Sequence, residues 1–429
     1  MNEIPQGKFR RSAIGSKTAV QVGGKLLGYY AKRPFLSDKG KDRAKKKMEE
    51  ESAAIVFNAL SILKGTAVKI AQMLSIEMDI FPDSVCRELA KSYNQLPPMN
   101  QALVRKTVGN AFHEAIDTVF KSFDTRAFAA ASLGQVHRAV TGDNVPLAVK
   151  VQYPGIGKSI KADMQLLRNI LRPMAEYDMI LPALEEIEQR LAEEINYTQE
   201  VDNIKWFAGQ VPEKGFYMPE VKKEFCTDTV LSMTLLKGVP LNDWLKTDPS
   251  RDARDTIARR LHDFFLHCFY ELNCIHADPN PGNFLIDKDL NVGVVDFGCV
   301  RHFDPEFVAK YRRLIRALSK KDSNTHMHMF REFDLLKGEL DPSSEKILKE
   351  TVSSFSDWYG QLVAEPVFDF SANPNFMKSA KAISQNIFKM RQHFKANANF
   401  VYLDRTRYGM LRLFEQLGAR VRIANKYES

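Results

Sequence analysis

The sequence lacks any run of about eighteen apolar residues, the length a helix needs to cross a bilayer, so no transmembrane helix is expected. Its most lipid-like window, Ala19 to Ala31, is short and is broken by Lys25. A hydrophobic signal core with a cleavage site is also missing, which makes a cytoplasmic location, peripheral on a membrane, the expectation. Cysteines are few: Cys86, Cys226, Cys268, Cys274 and Cys299 form no CxxC pair. Neither a zinc site nor a disulfide framework is therefore expected, and a reducing compartment fits best. No internal repeat or low-complexity tract is visible.

What remains is an ordinary globular composition, 44% hydrophobic and 27% charged, in 429 residues, enough for two or three packed units. The net charge of +8 is unevenly placed. Residues 1–50 hold 13 Lys/Arg against 5 Asp/Glu, so the rest of the chain is neutral by count. A basic, amphipathic arm on a neutral body points to an anionic surface as partner, membrane lipid before nucleic acid. The plainer reading of the same residues is a solvated, lysine-rich tail.

The pattern divides the chain into four segments. Residues 1–50 are the basic arm. Residues 51–120 form a helical extension, with apolar residues at helical spacing from Glu51 to Met73 and a second helix around Ser84 to Tyr93. Pro97 and Pro98 break it, and Met99 to Phe120 reads as one further helix. Residues 121–237 form a mainly β lobe with a helical insertion. There Phe128–Thr141 reads as a strand, Gly142-Asp143-Asn144 as a turn, and the stretch through Lys150 as a second strand. Residues 238–429 are mostly helical, with a short hairpin turning at Asp287–Asn291. Two-lobed nucleotide enzymes are built in this α+β order.

The strongest chemical signal is IHADPNPGNFLID followed by VGVVDFG. His276, Asp278 and Asn283 stand at H-x-D-x-x-x-x-N spacing, and Asp296-Phe297-Gly298 begins 13 residues after Asn283. Mg²⁺ needs carboxylate and amide oxygens, which Asn283 and Asp296 supply, and Asp278 is placed to orient or deprotonate an acceptor. Lys150, in LAVKV, alternates with apolar neighbours and suits a strand lysine that pairs phosphates; an edge-strand lysine fits the same pattern. Its carboxylate partner is open among Glu193, Glu194 and Glu200, the last two on different faces of one helix. Met233 suits the position behind an adenine, with backbone groups of Thr234 and Leu236 at the base edge. Upstream of Lys150, FAAASLGQVHRAV should be a phosphate loop, yet it carries three alanines in a row and the single Gly134. Alanine stiffens a backbone that glycine would free. Ala131, Ser132 and Gln135 are the loop residues expected near the phosphates. After Gly298 the chain runs directly toward helix, with no Ser/Thr-bearing docking segment and no Ala-Pro-Glu, which argues against routine protein phosphorylation.

Six ordered segments, LKGTAVKIAQMLS, FAAASLGQVHRA, LAVKVQYPG, EEINYTQEVDN, HADPNPGNFLI and VVDFG, resemble the UbiB/AarF-type atypical kinase-like family. The resemblance covers residues 50–300 closely and the last helices more loosely. It implies a bilobal kinase-like fold, ATP and Mg²⁺ as cofactors, and a link to ubiquinone or isoprenoid lipid metabolism. It makes Lys69 and Gln72 the signature residues of a helix folded over the cleft. It makes Glu194 and Asn196 the element that engages that lysine, and Glu200 the partner of Lys150. It also implies Asp278, Asn283 and Asp296 as catalytic and metal residues. Two positions depart from the family pattern: Ala71 replaces glycine and Asn196 replaces aspartate, which weakens the hold on Lys69. The activity expected is that of an ATPase or a small-molecule or lipid kinase. The competing reading is a nucleotide-gated lipid-binding scaffold. Expected partners are nucleotide, an anionic membrane or isoprenoid lipid met by the N-terminal region, and quinone-biosynthesis proteins, with no nucleic acid.

Overall fold

A computed structural model describes residues 8–35, 37, 40–41, 43–44, 47–48, 51, 55, 70, 98–131, 133–172, 177–211, 215–320, 322–380, 383, 393–395 and 397–428. The helices expected between Glu51 and Tyr93 lie almost wholly outside these residues. The chain divides into two compact units, Met1–Gln199 with Lys222–Met233, and Glu200–Val221 with Thr234–Ser429.

The first unit opens with α1 (Lys8–Lys32), followed by α2 (Gln101–Phe112) and α3 (Ile116–Val119). Asn100 caps α2 by accepting the Leu103 N–H at 2.8 Å. The single helix expected from Met99 to Phe120 is broken, because His113 takes a left-handed backbone (φ 58°) that closes α2. Strands β1 (Ser122–Phe123), β2 (Ala129–Ala131), β3 (Gly134–Val140) and β4 (Pro146–Gln152) follow. β5 (Phe216–Tyr217) belongs to the second unit, and β6 (Val230–Thr234) completes the first sheet. The order is β1-β3-β4-β6, with β2 paired to β3. The expected first strand is thus two strands, folded back where Ala131 pairs with Gly134. The expected turn at Gly142–Asn144 is present, with Asn144 at φ 65°.

One face of this sheet carries Ala139, Leu147, Val149 and Val151, and α2 covers it with Val104 and Val108. Helices α4 (Ile156–Leu171) and α5 (Tyr177–Glu194) follow β4, and α1 packs on α4 through a face that buries Thr18 and Val22. Val20 and Leu27 of α1 remain about three-quarters exposed, at 75% and 73%. α6 (Tyr197–Gln210) begins in this unit and continues into the second.

The second unit adds β7 (Val239–Pro240), α7 (Leu241–Leu245) and α8 (Arg251–Tyr270), whose buried face is rich in Phe264, Phe265 and Phe269. β8 (Cys274–His276) leads to a hairpin of β9 (Phe284–Ile286) and β10 (Val292–Val294), and then to β11 (Val300–His302). β8 pairs with β11, and the sheet order β5-β10-β9-β7 holds the hairpin. The helices α9 (Pro305–Ser319), α10 (Ser323–Glu332), α11 (Pro342–Val363) and α12 (Ala398–Leu417) complete the unit. Asp304, Asp322, Asp341 and Asn397 cap them in turn, each side chain accepting N–H groups of the first turn. α8 packs on α12. Near this contact Arg407 pairs with Glu428, which also accepts the Tyr270 hydroxyl at 2.6 Å and the Tyr359 hydroxyl at 3.2 Å. His262 of α8 is buried against Phe414, and burial lowers its pKa to about 4. Among the described residues no helix is long and apolar enough to cross a membrane.

Candidate functional site

In the first unit, Lys150 lies on a central strand, β4, between β3 and β6, so the edge-strand alternative does not apply. It is directly opposite Val136, and only 7% of it is exposed. Side chains opposite one another share a face of the sheet, so Lys150, Val136 and Gln152 stand on one side and Gln135, Val149 and Val151 on the other. Gln135 is therefore buried on the core face, near Tyr153, and its side chain points away from the side that carries Lys150. Gln135 was expected near the phosphates as a loop residue; as part of β3 its side chain is on the core face instead.

The Lys150 ammonium sits 5.4 Å from the centre of the Tyr197 ring, a cation–π distance. Gly134 explains its own presence. A Cβ there would lie 2.4 Å from the Val151 carbonyl oxygen and 3.1 Å from the Tyr197 hydroxyl. The loop's one glycine thus serves close approach, and its φ is not in the left-handed region. Ala131 ends β2 directly opposite it. Ser132, Lys69, Ala71 and Gln72 lie outside the described residues.

Glu194 and Glu200 stand on two helices and not on one: Glu194 closes α5, and α6 begins at Tyr197. Between them Asn196 accepts the Gln199 N–H at 3.1 Å, the geometry of a helix cap, and the Ile195 carbonyl accepts from Gln152 Nε2 at 2.5 Å. The EIN segment is thereby tied to the strand that bears Lys150. Met233 is buried in β6.

In the second unit the motif residues converge through hydrogen bonds. Asn283 Nδ2 donates to the Asp278 carboxylate at 2.8 Å and to its carbonyl at 3.2 Å. The Val295 N–H donates to the Asn283 carbonyl at 2.9 Å, which sets Asn283 beside the segment leading to Asp296. His276, 5% exposed, bonds the Asp296 carbonyl through Nε2 at 2.8 Å. Asp296 holds a left-handed backbone, φ 65°, and its Oδ1 accepts the Gly298 N–H at 3.3 Å. Phe297 is fully buried and is held on both sides of its Cα: its N–H donates to Glu200 Oε1 at 3.2 Å and its carbonyl accepts from Asn203 Nδ2 at 2.8 Å. Asn203 was not singled out from the sequence. Its position one turn after Glu200, in EVDN, is the signal that places both side chains on one face of α6.

Thr234 gives its N–H to the Glu220 carbonyl at 2.9 Å and accepts the Glu220 N–H on Oγ1 at 2.9 Å. Leu236 is half-buried two residues further on. After Gly298 the chain does not run straight into helix as expected: it first forms β11, paired with β8, and enters α9 only at Pro305.

The donor set suits Mg²⁺. Asn283 commits its NH₂ to Asp278, which leaves Oδ1 as its acceptor for a cation, and Asp296 adds a carboxylate. Among the described residues no three or more His, Cys, Asp or Glu converge into a protein-only cage. A hard cation that takes its remaining ligands from phosphate and water needs none.

A family model described as "ABC1 atypical kinase-like domain" matches residues 91–330. The probable serine/threonine-protein kinase abkA of Dictyostelium discoideum is 26% identical over 84% of this chain and 67% of its own length. The mitochondrial atypical kinase COQ8B of Rattus norvegicus is 30% identical over 76% of this chain and 60% of its own. The chain therefore spans about two thirds or less of the length of these curated relatives. Among solved structures, the Rv3197–erythromycin complex from Mycobacterium tuberculosis has a TM-score of 0.60 at 23% identity, over 89% of this chain and 96% of that one, a likeness of fold.

Proposed function

This chain belongs to the ABC1 atypical kinase-like family, and from that premise we propose that it binds ATP with Mg²⁺ and acts as an atypical ATPase or small-molecule or lipid kinase. The family is linked to coenzyme Q biosynthesis, and the proposed setting is isoprenoid-quinone or lipid metabolism at an anionic membrane surface. The observation that carries the reading is the bonded set Asp278, Asn283, His276 and Asp296, complete in residue type and closed by hydrogen bonds.

In this reading Asp278 orients the acceptor hydroxyl or water and takes its proton. Asn283 and Asp296 hold Mg²⁺, which neutralises phosphate charge when bound. Lys150 meets the phosphates together with Ala131 and Ser132, and Glu200 keeps the family's carboxylate role. Met233 backs the adenine, and Thr234 and Leu236 meet its edge through their backbones. Because the Thr234 N–H is already given to Glu220, its contribution falls to the carbonyl. Lys69, Gln72, Glu194 and Asn196 form the regulatory element. The exposed Val20 and Leu27 of α1, with Lys17 exposed on the same helix, support contact with anionic lipid.

The test is ADP formation by purified protein with ATP·Mg²⁺, with and without anionic vesicles and a phenolic quinone-precursor analogue. Turnover that Asp296→Asn abolishes is the expected result. No turnover above that variant under any condition overturns the enzyme and leaves the lipid-binding scaffold.

A further inference from the structure

Asp278 stands between two residues that are both seated on one helix. Arg405 of α12 donates through Nη2 to the carbonyl oxygen of Ala277, 2.6 Å away and 128 residues distant in sequence. One turn further along, Gly409 faces Pro279: a Cβ at that position would lie 2.3 Å from the ring's Cγ. Residues four apart share a helix face, so one face of α12 holds the residue before Asp278 and the residue after it. The same Nη2 lies 3.5 Å from the Cys299 sulfur, and the Ala277 N–H donates to the Cys299 carbonyl at 2.8 Å. Arg405 therefore meets the Asp278 loop and the segment that follows Gly298 with one group.

We propose that Arg405 and Gly409 are positioning residues for Asp278. The guanidinium fixes the peptide plane that enters Asp278, and the missing Cβ lets the loop come down onto the helix. A charge-assisted bond from a planar, rigid donor holds a carbonyl more firmly than a neutral one does. Glycine in a helix interior is unfavourable, and Gly409 is retained at a contact that no side chain fits. Asn283 is bonded to Asp278 at both carboxylate and carbonyl, so a tilt of this peptide would carry both residues together. This inference rests on the reading of Asp278 given above.

The experiment compares Arg405→Lys, Arg405→Gln, Gly409→Ala and the double variant Gly409→Ala with Pro279→Ala. Arg412→Ala, on the exposed side of α12, serves as control. Positioning predicts that Arg405→Gln and Gly409→Ala lower kcat by about a hundredfold while KM for ATP moves by less than about threefold, as small displacements of a reacting group do. Arg405→Lys falls between. Removing the Pro279 ring restores part of the loss in the Gly409→Ala background, a rescue that general destabilisation would not give. Unchanged kcat in Arg405→Gln and Gly409→Ala overturns the proposal, as does a loss that Pro279→Ala leaves unrelieved. A second readout does not need turnover. Amide hydrogen exchange over residues 277–283 in the full chain should quicken in Arg405→Gln and Gly409→Ala, and slow again in the double variant. Unchanged exchange in the variants overturns the seating; altered exchange in the variants, with a wild-type protein that shows no turnover, supports the seating and refutes the enzyme.

Discussion

Lys150 and Asn283 are equally hidden, at 7% and 8% exposed, yet the two units place them by different physics. Lys150 gets its position from strand register: it faces as it does because Leu147, Val149 and Val151 must face the core. Asn283 gets its position from a loop whose own polar groups close on one another. The first arrangement tolerates a change of side chain and fails when the backbone is pushed apart. The second tolerates little change in any polar partner, because each leaves a buried group unpaired.

Three substitutions test this contrast, in order of size. Gly134→Val should be the most damaging, because its side chain meets the backbone of β4 rather than a movable group. A loss of about 3 kcal/mol or more in chemical denaturation is expected for such overpacking; tolerance would show that strand register alone does not place Lys150. Asn203→Ala should cost about 1–3 kcal/mol, since it leaves the buried Phe297 carbonyl without its 2.8 Å donor. A neutral result there would break the claim that the second unit depends on polar closure. Lys150→Met should stay within about 1 kcal/mol of wild type in stability, being close in volume on a strand held by its other residues. Titration with a fluorescent ATP analogue should nevertheless show nucleotide affinity lost.

A further contrast is one of pH, read as a slope and not as a single loss. His262 in the second unit and His137 in the first are both buried, and burial lowers both pKa values. A buried neutral histidine binds fewer protons folded than unfolded between the two pKa values. For His262 the stabilisation is fully present above about pH 6.5 and is lost as pH falls toward about 4. His262→Gln should flatten that acid limb in denaturant midpoints measured at several pH values. An unchanged slope would mean that His262 is charged in the folded protein.

The contrast also explains what could be read from the chain alone. The HxDxxxxN and DFG spacing was legible because a loop closed by its own side chains writes its partners into one short stretch. The placement of Lys150 on a strand was legible from alternation, but Gln135 was misplaced, since the loop was treated as a single unit and the fold at Ala131–Gly134 changed which residue faces where. Glu194 and Glu200 were read as one helix because nothing in EEINYTQE breaks the helical pattern; only the cap at Asn196 separates them. Arg405 and Gly409 were invisible, since their partners lie more than a hundred residues away and no periodicity links a helix to a remote loop.

Asp296 draws one last consequence. Its backbone is left-handed, a conformation that costs about 1–2 kcal/mol for most side chains and little for glycine. Asp296→Gly should therefore melt above Asp296→Ala, although both lack the carboxylate. The native carboxylate also accepts the Gly298 N–H, so the pair of variants separates what the backbone costs at this position from what the side chain holds.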